Sequence, residues 1–247
     1  MLPLSSSQGI DNMYPRGSEW RRWDLHVHTP DTALNDEFGS WEEYVESLSS
    51  QGEVCAVGVT DYLSISNYSY LKRLKSEGRI ANIDLLIPNI EFRIAPRTAR
   101  SKAINIHLLV SPEQPDHETK ILEALGRLDW VYAGHRYSCL PDQLRALGRA
   151  HDANARTDKA AFQVGVSQFK VDFSEFRQWL SEELWLKRNS IVVVSAGEDG
   201  LSGLQHDSGW AATRDEIERL ADAIFCGLSR RAGVLARQIR GGESRHA

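Results

Sequence analysis

Cysteine is scarce in this chain. Cys55, Cys139 and Cys226 are odd in number and widely spaced, and no Cys-x-x-Cys occurs. That excludes a disulfide scaffold and an all-cysteine zinc site, and it points to a reduced, cytoplasmic protein. Long hydrophobic runs are also missing: nothing approaches the roughly 20 apolar residues that span a bilayer. The first dozen residues lack a basic start followed by an apolar core, so neither a signal peptide nor a membrane partner is expected. Positive charge is not in excess, with 29 Lys and Arg against 34 Asp and Glu and a net charge of −5. An overall basic footprint for nucleic acid is therefore absent, although bound cations and local arginines can supply a positive field in a nuclease. There is no Gly-Lys-Ser/Thr phosphate loop, no Gly-x-Ser-x-Gly elbow, no heptad pattern and no internal repeat. A P-loop ATPase, a serine hydrolase of the elbow type and a coiled coil are thereby set aside.

What is present is globular: 247 residues, 41% hydrophobic and 26% charged, enough for one domain of barrel size. The most informative stretch is Trp23-Asp24-Leu25-His26-Val27-His28-Thr29-Pro30, an Asp-x-His-x-His run on a short apolar strand. Alternation along a strand would put Asp24, His26 and His28 on one face. Two imidazoles there can chelate a metal while the carboxylate orients a ring. Apolar runs follow at Val54 to Thr60, ending in Asp61; at Asp84 to Ile90, ending in Glu91; and at Ile104 to Val110, with His107 in its middle. Such runs suit a parallel sheet covered by helices, and polar residues near strand ends are where a β/α barrel keeps its active site. Ile191 to Ala196 reads as a further buried strand and Ala223 to Cys226 as a last short one.

Helices are expected from Ser40, which with Glu43 makes a capping box, and over Tyr68 to Lys75, Thr119 to Leu128 and Pro141 to Arg149. A hairpin is expected around Ala133-Gly134. Residues 148–160 read as a polar loop. Ser174 caps a helix carrying Phe176, Trp179, Leu180 and Leu184 inward, and Thr213 with Glu216 opens another. The segment between Glu91 and His107, with Arg97, Arg100 and Lys102, is expected at the rim of the site. Arg93, two residues past Glu91, has the chemistry of a phosphate clamp. Asp199, in a Gly-Glu-Asp-Gly turn, is a further ligand candidate and His135 a weaker one. His117, His151, His206 and His246 stand in polar surroundings and are expected to be exposed.

The ordered set Asp24, His26, His28, then Thr60-Asp61, then Glu91, then His107 resembles the PHP family, the polymerase and histidinol phosphatase phosphoesterase domain. Gly17-Ser18-Glu19-Trp20, Thr60 to Ile65, Ile87 to Arg93 and Asp199 to Leu204 resemble TrlF-type proteins more closely, in which a PHP domain is joined to an ABC/SMC-like ATPase. The likeness runs from about residue 17 to about residue 227. It leaves residues 1–16 as a flexible lead-in and residues 228–247 as a basic tail with five arginines and one glutamate.

The resemblance implies a distorted, TIM-like β/α barrel. It also implies a metal-dependent phosphoesterase using Zn²⁺, Mn²⁺ or Fe²⁺, one ion held by His26, His28 and Glu91 and a second reached by Glu91 and His107. Asp24 and Asp61 would support the ligands. The family histidine after Thr60-Asp61 is Tyr62 here, and the late Ser-Asp-x-His motif does not occur, so the barrel is expected to be incomplete and the reading frame truncated. Substrates implied are nucleic acid or a small phosphoester, with an ATPase supplied in trans. The competing expectation is a weakly active module that binds a partner.

Overall fold

The computed structural model describes residues 21–34, 39–95, 103–197, 200–204 and 211–226. Its first half is built by repetition. β1 (Arg22–His28), β2 (Val54–Tyr62) and β3 (Leu85–Ala95) lie parallel in that order, joined through α1 (Trp41–Ser50) and α2 (Ser66–Ser76). The Ser40–Glu43 capping box forms as the spacing predicts, and Gly78, at φ +89°, follows α2.

β4 (Ile104–Val110) then returns antiparallel to β3, with Glu91 opposite His107. The eight residues 96–103 are too few for the crossover of a dozen or more that a parallel pair requires. The wholly parallel sheet expected from the apolar runs is therefore corrected to a mixed one. The expected rim segment, with Arg97, Arg100 and Lys102, lies outside the described residues.

The middle of the chain packs beside this sheet. It comprises α3 (His117–Leu125), the hairpin of β5 (Asp129–Tyr132) and β6 (His135–Ser138), α4 (Pro141–His151), α5 (Asp158–Gln168), β7 (Val171–Asp172), α6 (Phe173–Glu182) and α7 (Leu184–Arg188). The hairpin turn sits where expected, with Ala133 at φ +50° and Gly134 at φ +80°, the signs a two-residue turn needs.

The predicted loop over residues 148–160 shortens to 152–157, between the end of α4 and the start of α5. Thr157 caps α5 by accepting from the Ala160 N–H, and its approach to α4 is so close that a Cβ on Gly165 would lie 1.8 Å from the Leu144 carbonyl oxygen. The cap of α6 is Asp172 rather than Ser174, in a box with Glu175. β8 (Ser190–Ser195), α8 (Ala211–Leu220) and β9 (Ala223–Phe225) complete the order. α8 begins before Thr213, so the predicted box there falls inside the helix.

The main sheet runs β1-β2-β3-β4-β8-β9, with β7 added to the end of β3. One face is covered by helices. Val57, Val59, Ile90, Phe92, Ile106, Leu108 and Val194 are buried against Tyr44, Leu48, Leu71, Ile121, Phe176 and Trp179. The other face curls around on itself. Laid flat, β1 and β9 would stand about 24 Å apart at ordinary strand spacing. Yet the rings of His26 on β1 and Phe225 on β9 stack with centroids 5.5 Å apart. The result is a curled half-barrel in a mixed α/β protein. Among the described residues, no helix is long and apolar enough to cross a membrane.

Candidate metal centre

The inner face of the half-barrel changes character along its length. Toward the start of β3 it is apolar, lined by Trp23, Leu25, Leu85, Ile87, Leu109 and Ile191. Two residues further on it becomes Asn89, Glu91 and His107, all buried.

β1 reaches this face through an irregularity. Asp24 pairs with Val57 and His28 with Thr60, but Leu25 and His26 together oppose the single residue Gly58. This is a β-bulge, one extra residue in one strand. Gly58 makes it possible, because a Cβ there would sit 2.1 Å from the Leu25 carbonyl oxygen. The bulge breaks strict alternation. Val57 and Thr60 lie on opposite faces of β2, so Asp24 and His28 do too, while the bulged His26 joins His28 inside. The expectation that Asp24, His26 and His28 share one face is corrected accordingly.

The donor atoms converge. His26 Nε2 and His28 Nε2 lie 3.2 Å apart, and they stand 3.5 and 3.3 Å from Glu91 Oε2. Three ligands each 2.0–2.1 Å from one tetrahedral ion would be about 3.3 Å apart. The triangle thus has the size a zinc-like ion requires, and the three groups can hold one. At these separations the contacts are not well-formed hydrogen bonds, and neither Glu91 oxygen has a hydrogen-bond partner although both are buried. The burial of Glu91 would by itself raise its carboxyl pKa. The imidazoles of His26 and His28, with His107 behind them, outweigh that and hold it below the ordinary carboxylate range.

His107 lies beside this three-residue group rather than in it, its ring 4.4 Å from that of His26 and edge-on to Phe225 at 5.1 Å. Burial, reinforced by His26 and His28 and opposed by the Glu91 charge, pushes its pKa down to about 3. Its Nδ1 meets Asn89 Oδ1 at 3.2 Å, and its Nε2 is buried without a partner. Tyr62 stacks on His28 at 5.1 Å.

Other predicted residues fall elsewhere. Asp24 accepts from the backbone N–H of His26 at 3.4 Å, and burial raises its pKa. It touches the ligand's backbone rather than fixing an imidazole. Asp61 pairs with Ile90 on the helix side and accepts from the Asn67 backbone N–H at 2.9 Å and side-chain amide at 2.7 Å, at the start of α2. Burial, against those hydrogen bonds, raises its pKa to about 7.

Arg93 is exposed and pairs with Asn105 on the face that carries Glu91 and His107. β3 therefore continues far enough for the predicted alignment. His135 is exposed in the hairpin and His151 is exposed at the end of α4. His117 is not exposed as expected: it is buried, with Nδ1 2.6 Å from the Gln114 carbonyl oxygen and Nε2 2.8 Å from the Tyr68 hydroxyl. Asp199, His206, His246 and the basic tail lie outside the described residues.

Asn89 and Phe225 are the neighbours that sequence reasoning passed over. Asn89 had a signal, being the one amide inside an otherwise apolar strand two residues before Glu91. Phe225 had none, because only the curl of the sheet brings it to His26. Compared with known protein families and with curated protein sequences, the chain matches none.

Proposed function

We propose that this chain is a PHP-like, metal-dependent phosphoesterase domain, acting on phosphodiester bonds of nucleic acid. The observation that carries this reading is the His26–His28–Glu91 triangle, whose edges of 3.2, 3.3 and 3.5 Å suit a single tetrahedral ion. The mixed nitrogen and oxygen donor set suits Zn²⁺, Mn²⁺ or Fe²⁺. When bound, such an ion supplies Lewis-acid chemistry, acidifying water at its open position and neutralising phosphate charge.

The chain's own residues do the rest. Glu91 brings the one carboxylate of the cluster into contact with both His26 and His28. The His107 ring lies beside them, 4.4 Å from that of His26, with its Nε2 buried and without a hydrogen-bond partner. Arg93, two residues beyond Glu91 on the same face, stands about 7 Å along the strand. A guanidinium at that range can grip a non-bridging phosphate oxygen or the next phosphate of a strand. Phe225 shields one side of the cluster from water.

Preference for nucleic acid over a small phosphomonoester rests on the TrlF-like wording of the sequence. In that setting an ABC/SMC-like ATPase would act with this chain in trans, in a role resembling phage defence. The test is a parallel assay of DNA, RNA, tRNA and small phosphomonoesters with Mn²⁺ and Zn²⁺. Cleavage of nucleic acid that is lost in His26→Ala is expected; cleavage of monoesters alone would overturn the substrate choice.

A second reading is favoured by the apolar end of the inner face, where Trp23 and Ile191 are exposed. On that reading the domain is weakly active alone and gains activity when a partner covers this face. Full nuclease activity of the isolated chain would exclude it.

A further inference from the structure

His107 has two ring nitrogens and the structure treats them differently: Nδ1 is engaged and Nε2 is buried and unengaged. Which nitrogen carries the proton therefore decides whether the buried Nε2 offers a lone pair or an N–H. A neutral imidazole has one of each.

The choice is made by a relay behind the ring. The Asn89 side-chain amide donates to the Leu25 carbonyl oxygen at 2.9 Å and to Thr60 Oγ1 at 2.9 Å. Thr60 in turn donates its hydroxyl hydrogen to the Gly58 carbonyl oxygen at 3.3 Å. Asn89 and Thr60 are both fully buried. The amide cannot be turned over, because its oxygen would then face the Leu25 carbonyl, and two acceptors cannot pair. Nδ2 must point at Leu25, and Oδ1 must point at His107. An oxygen at 3.2 Å from Nδ1 requires Nδ1 to be the donor. Nε2 then carries the lone pair.

Building on the metal-centre reading above, we propose that Asn89 is a positioning residue that fixes the Nδ1–H tautomer of His107, so that Nε2 is presented as a metal donor. The anchor of the relay is the carbonyl of Leu25, a residue of the bulge that also turns His26 inward. One irregularity in β1 thus places one ligand directly and sets the protonation pattern of another through Asn89. Ligand histidines commonly have their second nitrogen held by such a partner, whose loss lowers metal affinity about 10–100-fold.

The first test needs no metal. Imidazole ¹⁵N spectra of chelator-treated wild-type protein at neutral pH, with the His107 signals assigned by comparison with His107→Gln, should show Nδ1 protonated and Nε2 bare. An Nε2–H signal overturns the proposal. The second test is Zn²⁺ titration, following bound metal rather than activity. Asn89→Leu keeps the size and removes both donor and acceptor; it should mix the tautomers and weaken Zn²⁺ binding about 10–100-fold. Asn89→Asp retains an acceptor toward Nδ1 but turns an acceptor toward the Leu25 carbonyl, so it should keep the Nδ1–H signal while lowering the melting temperature. Wild-type affinity in Asn89→Leu overturns the role of Asn89 at the metal. Should wild-type protein itself take up no Zn²⁺, the metal-centre reading fails separately, and the ¹⁵N spectrum still decides what Asn89 does.

Discussion

Two buried histidines, on opposite sides of the sheet, separate structure from site. His117, at the start of α3 on the helix side, has both nitrogens paired, one with the Gln114 carbonyl and one with the Tyr68 hydroxyl. His107, on the inner face, has one nitrogen paired and the other bare. Both rings are buried, so burial alone distinguishes nothing. The difference lies in satisfaction: a buried polar atom left without a partner costs about 1–3 kcal/mol. Around His107 that condition is repeated at both oxygens of Glu91. Glu91 belongs with His26 and His28 to the group that could hold a metal ion.

The comparison can be broken most forcefully at Gly58. Gly58→Ala drives a Cβ into the Leu25 carbonyl and should cost about 3 kcal/mol as overpacking, displacing His26 while the surroundings of His117 stay intact. Thermal unfolding with Zn²⁺ titration checks both halves; an unchanged melting temperature with wild-type Zn²⁺ uptake would remove the bulge from the account.

Next in size is the response to metal. At free Zn²⁺ one hundred times Kd, binding to the folded state adds about 2.7 kcal/mol, which for a domain of this length raises Tm by about 2–4 °C per kcal/mol. Glu91→Ala should abolish that rise and His117→Leu should preserve it.

In metal-free protein the two histidines should exchange ranks. His117→Leu strands the Tyr68 hydroxyl and the Gln114 carbonyl and should cost about 2 kcal/mol, whereas His107→Leu strands only Asn89 Oδ1 and should cost about 1 kcal/mol. Urea unfolding decides the order, and equal costs would erase the distinction drawn here.

The mildest effect is on pH dependence. The Asp61 pKa rises on folding from its ordinary value of 3.8 to about 7, so the folded state holds a proton that the unfolded state has lost between those values. Its contribution to stability is full below pH 3.8 and is lost as pH rises through about 7, with a slope of at most about 1.4 kcal/mol per pH unit. Asp61→Asn, which keeps an acceptor for the Asn67 N–H, should flatten the dependence of Tm on pH between 5 and 8 without altering Zn²⁺ uptake.

The sequence by itself determined the elements and most of the donor atoms. Apolar runs marked β2 to β4 and β8, the Asp-x-His-x-His pattern marked β1, a Ser–Glu pair marked the start of α1, and His26, His28, Glu91 and His107 stood out because imidazoles and a carboxylate are costly inside apolar strands. It could not determine strand direction beyond β3, because apolar content does not encode polarity; the shortness of the 96–103 connection does. It could not place α5, whose Thr157 cap falls in a stretch that read as loop and whose Gly165 shows its purpose only once α4 is beside it. It misjudged Asp24 because alternation assumes a regular strand, and the bulge is visible only in the pairing with Gly58. It misjudged His117 because both of its partners are brought in by packing. The tertiary structure alone decided which face each residue took, that the curl brings Phe225 to His26, and that Asn89 meets one nitrogen of His107 while the other is buried without a partner. Side-chain chemistry is local and legible in sequence, whereas direction, curl and hydrogen-bond completion depend on which backbone lies alongside.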